Sequence, residues 1–257
     1  MSTKKHINDA QPATVDEHFQ LILDDREIID HDLVRVTPDD LPEWFDERLF
    51  KMQNATINSS YKRFSQTLLL MYALFHSDML DPNSKWFSAL NEIRQRHARV
   101  SRRRVRQNLH GIYQKDMAIT QFGFLGFVFV CPEKIGLAYA TQEQKIGFNH
   151  FWQVTGHLLG ISDRINICRR TVEETVELCT RIQNEILAKY LKNPPQKFLQ
   201  MMTNITHGLW YVDLSINEDA FLSLAYNLSG VKYIKPIGWY SYLNREFRES
   251  ILYLCSK

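Results

Sequence analysis

The stretch "ALNEIRQRHARVSRRRVRQ", residues 89–107, places one histidine, His97, among closely spaced arginines. A neutral imidazole can hold haem iron or a metal ion, and haem needs only one or two protein ligands. A zinc site needs several ligands, yet no histidine or acidic residue follows His97 at helical spacing, where Val100 and Ser101 stand. The pattern favours a haem ligand over a bare metal ion, but from these residues alone a histidine that only packs in the core is the first interpretation and a ligand is the alternative.

A helix over about residues 84–108 is predicted to position His97, with Ser84 as its N-cap. One apolar face of this helix is formed, at helical spacing, by Phe87, Leu90, Ile93, His97 and Val100. We therefore expect His97 on the core side of the helix, while most of the arginines lie on its other faces.

Three interpretations of the arginines on this helix stay open. They could form a solvated face, contact acidic side chains or the carboxylates of a bound cofactor, or bind nucleic acid. The run is short, lacks interleaved aromatic residues and belongs to a chain whose net charge is only +2. We therefore expect no nucleic-acid partner. The arginines concerned are Arg96, Arg99, Arg102, Arg103 and Arg106.

An all-α fold is predicted, because helical periodicity recurs along the chain and no pair of alternating strands is evident. Residues 1–36 are polar and are expected to be mobile, with one short helix as an option, and residues 37–257 are expected to form one helical domain. Besides a short helix near residues 38–50, helices are predicted over about 59–77, 115–130, 142–160 and 171–192, and the remainder is read as helical. Thr171 and Glu174 are expected to form a capping box.

Two of these helices have predicted apolar stripes. In the helix over 59–77 the stripe is Phe64, Leu68, Met71 and Phe75, with Arg63, Thr67, Leu70 and Leu74 on the neighbouring one. In the helix that begins after Thr171 the stripe is Val172, Val176, Cys179, Ile182, Ile186 and Tyr190. These stripes are expected to face the core.

The most apolar stretch, residues 117–131, has about 15 residues, fewer than the roughly 20 that span a bilayer. A buried central helix is predicted there, and a segment that dips into a membrane is the alternative. The chain begins with polar residues, and none of its four cysteines forms a C-x-x-C pair. We therefore expect a cytoplasmic protein with free thiols and no transmembrane segment, with peripheral contact to the endoplasmic reticulum membrane as the alternative.

Two further histidines, His150 and His157, lie seven residues apart on the helix predicted over 142–160. Two helical turns separate them, which is too far for shared coordination of one ion. Both are interpreted as packing or surface residues.

Four pieces of the sequence together resemble the catalytic domain of the rubber oxygenases (latex clearing proteins) and the MpaB-type oxygenases. In chain order they are "LPEWFDERLFKMQ", "KRFSQT", "LNEIRQRHARV" and "FNHFWQVTGHLLGI". The last three resemble the family's R-x-x-x-T, L-R-x-x-H-x-x-V and W-x-x-[IV]-G-x-x-L-G-I patterns, with Ile93 and Thr155 at two positions where the family has other residues. Each pattern alone is weak, whereas their order and spacing over about residues 38–230 are more specific.

The resemblance implies a single-domain helical bundle of the rubber-oxygenase type that binds haem b. It implies His97 as the proximal iron ligand, with Arg94 placed to pair with haem propionates. Arg63 and Thr67 would be catalytic residues near the haem, on the side where dioxygen binds. The implied activity is oxidative cleavage of isoprenoid double bonds by dioxygen. The substrate pocket would be lined by Leu70, Phe122, Phe124, Phe127, Phe151 and Trp152.

The chain is therefore interpreted as a haem-dependent oxygenase that acts on a lipophilic small molecule, with isoprenoids as the implied class. It departs from the family in the stretch "KMQNATINSSYKRF", which is too short for the helices that usually precede the R-x-x-x-T pattern, and Met52 replaces a glycine. This shortening favours the alternative, a non-catalytic helical descendant that binds a ligand or a partner. Plain core packing is the competing interpretation of the aromatic residues.

Overall fold

The computed structural model describes residues 10–29, 57–78, 81, 84–211 and 213–255, with the backbone alone at 57–64, 197, 252 and 255. These residues are mostly helical and contain no strand, so the all-α prediction is confirmed. The short helix predicted near residues 38–50 and the domain boundary predicted at residue 37 lie outside the described residues. The helices are α1 (Val15–Asp24), α2 (Ile57–His76), α3 (Lys85–Arg106), α4 (Gln114–Val130), α5 (Gln142–Leu158), α6 (Val172–Arg181), α7 (Ala188–Lys192), α8 (Gln196–Leu209), α9 (Glu218–Leu228) and α10 (Trp239–Cys255).

The chain divides into two compact units. Unit 1 contains α1, the part of α3 from Ile93 onward, α4, α5 and α6, and within it α6 packs against the other helices α1, α4 and α5. Unit 2 contains α2, the start of α3 and α7 to α10, and within it α8 packs against α2 and α9, while α9 also packs against α10. No described helix is long and apolar enough to cross a membrane.

Helix α1 packs into unit 1 through its apolar side. The Thr14 hydroxyl accepts a hydrogen bond from the Glu17 backbone amide (3.2 Å), and the Glu17 carboxylate accepts one from the Thr14 amide (3.3 Å), which completes a capping box. Phe19 and Ile22 are almost fully buried. The described part of this N-terminal segment therefore contains the one short helix that was left as an option, and it packs because apolar side chains recur in it at helical spacing.

A buried amide cluster holds the loop between α5 and α6 against both α4 and α5. Gln121 on α4 donates from Nε2 to the Trp152 carbonyl oxygen and to Asn166 Oδ1, each at 3.0 Å. Asn166 in turn donates from Nδ2 to the Gln153 carbonyl oxygen at 2.9 Å. Because buried amides need partners, these bonds fix the position of the loop on two helices at once.

Arg169 is a buried cation at the centre of a second polar cluster, with 2% of its surface exposed. Its guanidinium donates to the Glu174 carboxylate (3.1 Å), to His18 Nδ1 (2.9 Å) and to the Pro12 carbonyl oxygen (3.0 Å). The partners come from α6, α1 and the segment before α1. The cluster therefore fastens the N-terminal helix to the start of α6.

His18 gives the folded chain a stability that depends on pH. Burial, with the charge of Arg169 adding to it, lowers the pKa of His18 from 6.5 to about 4. Between these values the unfolded chain binds more protons than the folded chain, so the free energy of unfolding falls as pH falls. This contribution is fully present above about pH 6.5 and is lost as pH drops toward 4.

We expect the free energy of unfolding to decrease by about 2 kcal/mol between about pH 7 and pH 5 through His18 alone. Urea unfolding of the wild-type chain and of His18→Gln at both pH values checks this, because the glutamine amide oxygen can still accept from Arg169 but does not titrate. The variant should lose less stability than the wild type. An identical loss in the two chains would show that His18 is not the group responsible.

The buried side of α2 is not the predicted one. Leu68 and Phe75, two members of the predicted stripe, are more than half exposed, whereas Leu74 is 2% exposed. Thr67 and Leu70, which share the side of Leu74, are half-buried. The side with Leu74 packs although its stripe also contains the polar residues Arg63 and Thr67, so hydrophobicity alone does not decide which side of the helix is buried.

The stripe predicted for α6 ends early because the helix changes geometry. Val172, Cys179 and Ile182 are buried as expected, but the turn over Ile182–Leu187 is π-helical and Tyr190 is 44% exposed. A π-helical turn adds a residue and rotates later side chains away from the original face. The capping box is also half formed: Thr171 accepts from the Glu174 amide, while the Glu174 carboxylate binds Arg169 instead.

Other predictions of local structure are confirmed. Helix α4 carries a largely buried face, as expected for a central helix, although Gly123 and Phe124 on its other side are exposed. Cys131, Cys168 and Cys179 are buried, and none of these three forms a disulfide bond. In unit 2, α10 exposes an apolar stripe made of Trp239, Leu243, Phe247, Ile251 and Leu254.

Candidate functional site

His97 lies on the part of α3 that belongs to unit 1, and its side chain is half-buried. Its Nδ1 atom is buried and has no hydrogen-bond partner in the described part of the chain. Burial lowers the pKa of His97 to about 4. The imidazole is therefore neutral at physiological pH, and one of its two nitrogens carries a lone pair that can coordinate iron.

The buried side of α3 is rotated by about one residue from the predicted apolar face. Its most buried side chains are Trp86, Ala89, Leu90, Ala98 and Ser101. Ser101 can be buried because its hydroxyl accepts a hydrogen bond from the Ile112 amide at 2.8 Å. A pattern of apolar residues in the sequence does not predict the burial of such a polar side chain. His97 and Val100 consequently lie at the edge of the buried face rather than in its middle.

Arg94 precedes His97 by one helical turn and is half-buried. Its guanidinium makes no hydrogen bond or ion pair with any residue that the structure describes. Two other arginines of α3 use nearby acceptors instead: Arg99 donates to Gln95, and Arg104 donates to the His110 carbonyl oxygen at 2.8 Å. Arg94 is thus a cation beside His97 whose charge no described side chain balances.

The aromatic side chains predicted to line a pocket make ring contacts on α4 and α5. Trp152, which is 3% exposed, stacks on Phe124 with ring centroids 5.3 Å apart and meets Phe151 edge-on at 5.7 Å. Phe122 meets Phe127 edge-on at 5.5 Å. These contacts are those of core packing, and Phe124, at 39% exposure, is the member most open to solvent.

The other predicted site residues, Arg63, Thr67 and Leu70, lie on α2 in unit 2. The side chain of Arg63 is outside the described set, while Thr67 and Leu70 are half-buried. The residues that the resemblance assigns to one site are therefore divided between the units, with His97, Arg94 and the five aromatic residues in unit 1.

A cavity of about 440 Å³ lies elsewhere in unit 1, at the C-terminal end of α5. His157 and Asp163 face each other there, with Nδ1 and Oδ1 2.8 Å apart. Arg170 is exposed and makes no hydrogen bond or ion pair with the described residues. The cavity is lined by Ala10, Gln11, Gln153, Val154, His157, Leu158, Asp163 and Arg170.

Local backbone geometry brings Asp163 back to His157. Helix α5 ends in a Schellman motif: Gly160 has a φ of +93°, the Ile161 amide donates to the Gly156 carbonyl oxygen (3.0 Å), and the Gly160 amide donates to that of His157 (2.9 Å). Sequence reasoning did not identify this pair. The spacing H-x-x-G-x-x-D at a helix end, where the glycine reverses the chain, is the signal that could have indicated it.

Within the described residues, no group of three or more histidine, cysteine, aspartate or glutamate side chains could hold a metal ion together. In comparisons with known proteins, no family model, curated protein or solved structure matches the chain. The likeness to rubber oxygenases therefore rests on the four sequence pieces, and function has to be argued from the side chains themselves.

Proposed function

We propose that this chain is a haem-dependent oxygenase in which His97 would hold the iron of haem b, with a lipophilic, isoprenoid-like alkene as substrate. The observation that carries the proposal is the buried Nδ1 of His97, which has no partner among the described residues. A buried polar atom without a partner is unfavourable by about 1–3 kcal/mol, so a ligand, ion or water that contacts His97 Nδ1 would remove this cost.

The groups around His97 fit a haem better than a bare ion. A metal ion usually needs three or more protein ligands, whereas haem iron accepts a single imidazole. Arg94, one turn away, supplies an uncompensated positive charge of the kind that binds carboxylates. A neutral imidazole and a nearby guanidinium are what the iron and the propionates of haem would require.

Haem iron, when bound, supplies the activation of dioxygen that cleaves an alkene into two carbonyl groups. The chain would hold the iron through His97 and the carboxylates through Arg94. The resemblance assigns Arg63 and Thr67, which lie in unit 2, to hydrogen bonding with dioxygen. The apolar rings of Phe124 and Trp152 would exclude water and hold a lipophilic substrate.

Oxygen uptake by the haem-loaded full chain tests the catalytic part of this proposal. The chain is mixed with a short isoprenoid alkene, dioxygen is followed with an electrode, and carbonyl products are identified by mass spectrometry. We expect one dioxygen consumed per double bond cleaved, at a rate at least about tenfold above that of free haemin. Haem-loaded protein that consumes no more dioxygen than free haemin would refute the oxygenase activity.

A second candidate is a helical protein that binds a lipophilic ligand or a partner without catalysis. The observation that favours it is the short stretch before Arg63, which lacks the helices usual in the family at this place. Under this candidate the chain folds but either takes up no haem or holds haem without turnover, and the oxygen measurement separates it from the first.

A further inference from the structure

We propose that the cavity at the C-terminal end of α5 binds a phosphate group, as inorganic phosphate or as the phosphate of a small monoester. The residues that would hold it are Arg170 and His157, with Asp163 orienting the histidine. The proposal does not depend on haem, since it uses none of the residues assigned to the haem site.

One cation that lines the cavity has no partner among the described residues. The Asp163 carboxylate, which also lines the cavity, is paired with His157 at 2.8 Å. Arg170 is the cation of this wall, and it has no acidic partner in the described part of the chain. The neighbouring Arg169 is occupied by Glu174 and His18. A guanidinium that is free to point at a ligand matches the geometry of two phosphate oxygens.

The second contact follows from the orientation of His157. Because the Asp163 carboxylate accepts from Nδ1, that nitrogen carries a proton in either form of the ring, and in the neutral form the lone pair lies on Nε2. Nε2 makes no hydrogen bond with the residues that the structure describes. A phosphate group can carry a proton near neutral pH, so it can share that proton with Nε2 while its other oxygens accept from Arg170. A carboxylate carries no proton at that pH, so it can accept hydrogen bonds from Arg170 but has no proton to share with Nε2.

The loop that carries Asp163 and Arg170 is held in place, and the cavity leaves room for an organic part of the ligand. Asn166 is bonded to both Gln121 and the Gln153 carbonyl oxygen, which holds the loop bearing Asp163 and Arg170. Val154 and Leu158 add apolar surface beside the charged residues. The volume of about 440 Å³ lies within the range of sites for small ligands and exceeds the needs of a lone phosphate ion.

Isothermal titration calorimetry on the full chain tests the proposal, with inorganic phosphate, phenyl phosphate and benzoate as the probes. Arg170→Ala should weaken phosphate binding about tenfold or more, and His157→Gln about threefold, since a charged contact is worth more than a neutral one. Arg170→Lys should fall between wild type and alanine. The matched control is Arg106→Ala, which removes the same charge from an exposed position at the end of α3 and should change the affinity less than about twofold.

Tighter binding of phenyl phosphate than of inorganic phosphate would identify an organic monoester as the ligand, and equal affinities would identify free phosphate. Three results would overturn the proposal. The first is that neither phosphate shows saturable binding up to about 10 mM. The second is that Arg170→Ala and Arg106→Ala lose phosphate affinity equally. The third is that benzoate binds as tightly as phenyl phosphate. Circular dichroism of each variant confirms that folding is unchanged.

Discussion

Replacing His97 with alanine is expected to abolish haem retention while leaving the helices intact. The variant lacks the only side chain that the account assigns to the iron, so bound haem should fall from about one per chain to less than about a tenth of that. The fold should survive because the buried Nδ1 makes no hydrogen bond with the described residues, and its loss therefore removes no polar contact. The pyridine haemochromogen assay, after incubation with haemin and gel filtration, measures the haem, and far-ultraviolet circular dichroism measures the helices.

A matched control and a rescue make this experiment specific. His150 is an exposed histidine of the same unit, and His150→Ala should keep full haem occupancy. His97→Gly should regain haem when imidazole is supplied, since free imidazole can enter the space left by the side chain. If His97→Ala holds as much haem as the wild type, the ligand assignment is wrong. Equal losses in His97→Ala and His150→Ala would also reject it, because an exposed histidine is not expected to bind the iron.

Replacing Arg169 with alanine is expected to lower the free energy of unfolding by about 3–5 kcal/mol. The substitution leaves His18 Nδ1 and the Pro12 carbonyl oxygen without their donor, and it opens a space in the buried cluster. Both effects are large because the guanidinium is 2% exposed, so water cannot replace it without rearrangement. Urea unfolding followed by circular dichroism measures the loss. The rate of amide hydrogen exchange in α1 should also increase in the variant, because the cluster holds that helix in place.

The neighbouring residue provides the control for Arg169. Arg170→Ala removes the same side chain from an exposed position next along the chain, and its free energy of unfolding should stay within about 0.5 kcal/mol of the wild type. A loss of less than about 1 kcal/mol in Arg169→Ala would contradict the structural role of the cluster. So would hydrogen exchange in α1 that stays as slow as in the wild type.

Most helices could be predicted from the sequence because their signals are local. The predicted ranges 84–108, 115–130 and 142–160 correspond to α3, α4 and α5 with ends that differ by a few residues. Ser84, as predicted, accepts a hydrogen bond from the backbone of the following helix. Periodicity and capping act within a few turns of the chain, so they can be evaluated without knowledge of tertiary contacts.

The side of each helix that is buried was harder to predict. On α2 the more apolar stripe is partly exposed, and the side with Leu74 packs because helix α8 lies against this helix. On α3 the buried Ser101 belongs to the core through a hydrogen bond to Ile112, from beyond the end of the helix. On α6 the π-helical turn rotates the later residues outward. Each difference arises from tertiary contacts or backbone geometry that a hydrophobic pattern does not contain.

The candidate sites also combine features that the sequence indicates with features that only the tertiary structure determines. His97 could be singled out from its position in the sequence, but its buried, unpartnered nitrogen is a property of packing. The pair of His157 and Asp163 depends on the chain reversal at Gly160. The partners of Arg169 come from two distant parts of the chain, which no spacing rule joins. Residue types indicate which chemistry is available, and tertiary structure decides which groups meet.

An absorption spectrum of the full chain, recorded after incubation with haemin and removal of the excess, tests the central claim most directly. The account predicts a Soret band and, by the pyridine haemochromogen assay, about one haem b per chain. A folded, helical and colourless protein would contradict it, because the neutral imidazole of His97 would then have no iron to bind.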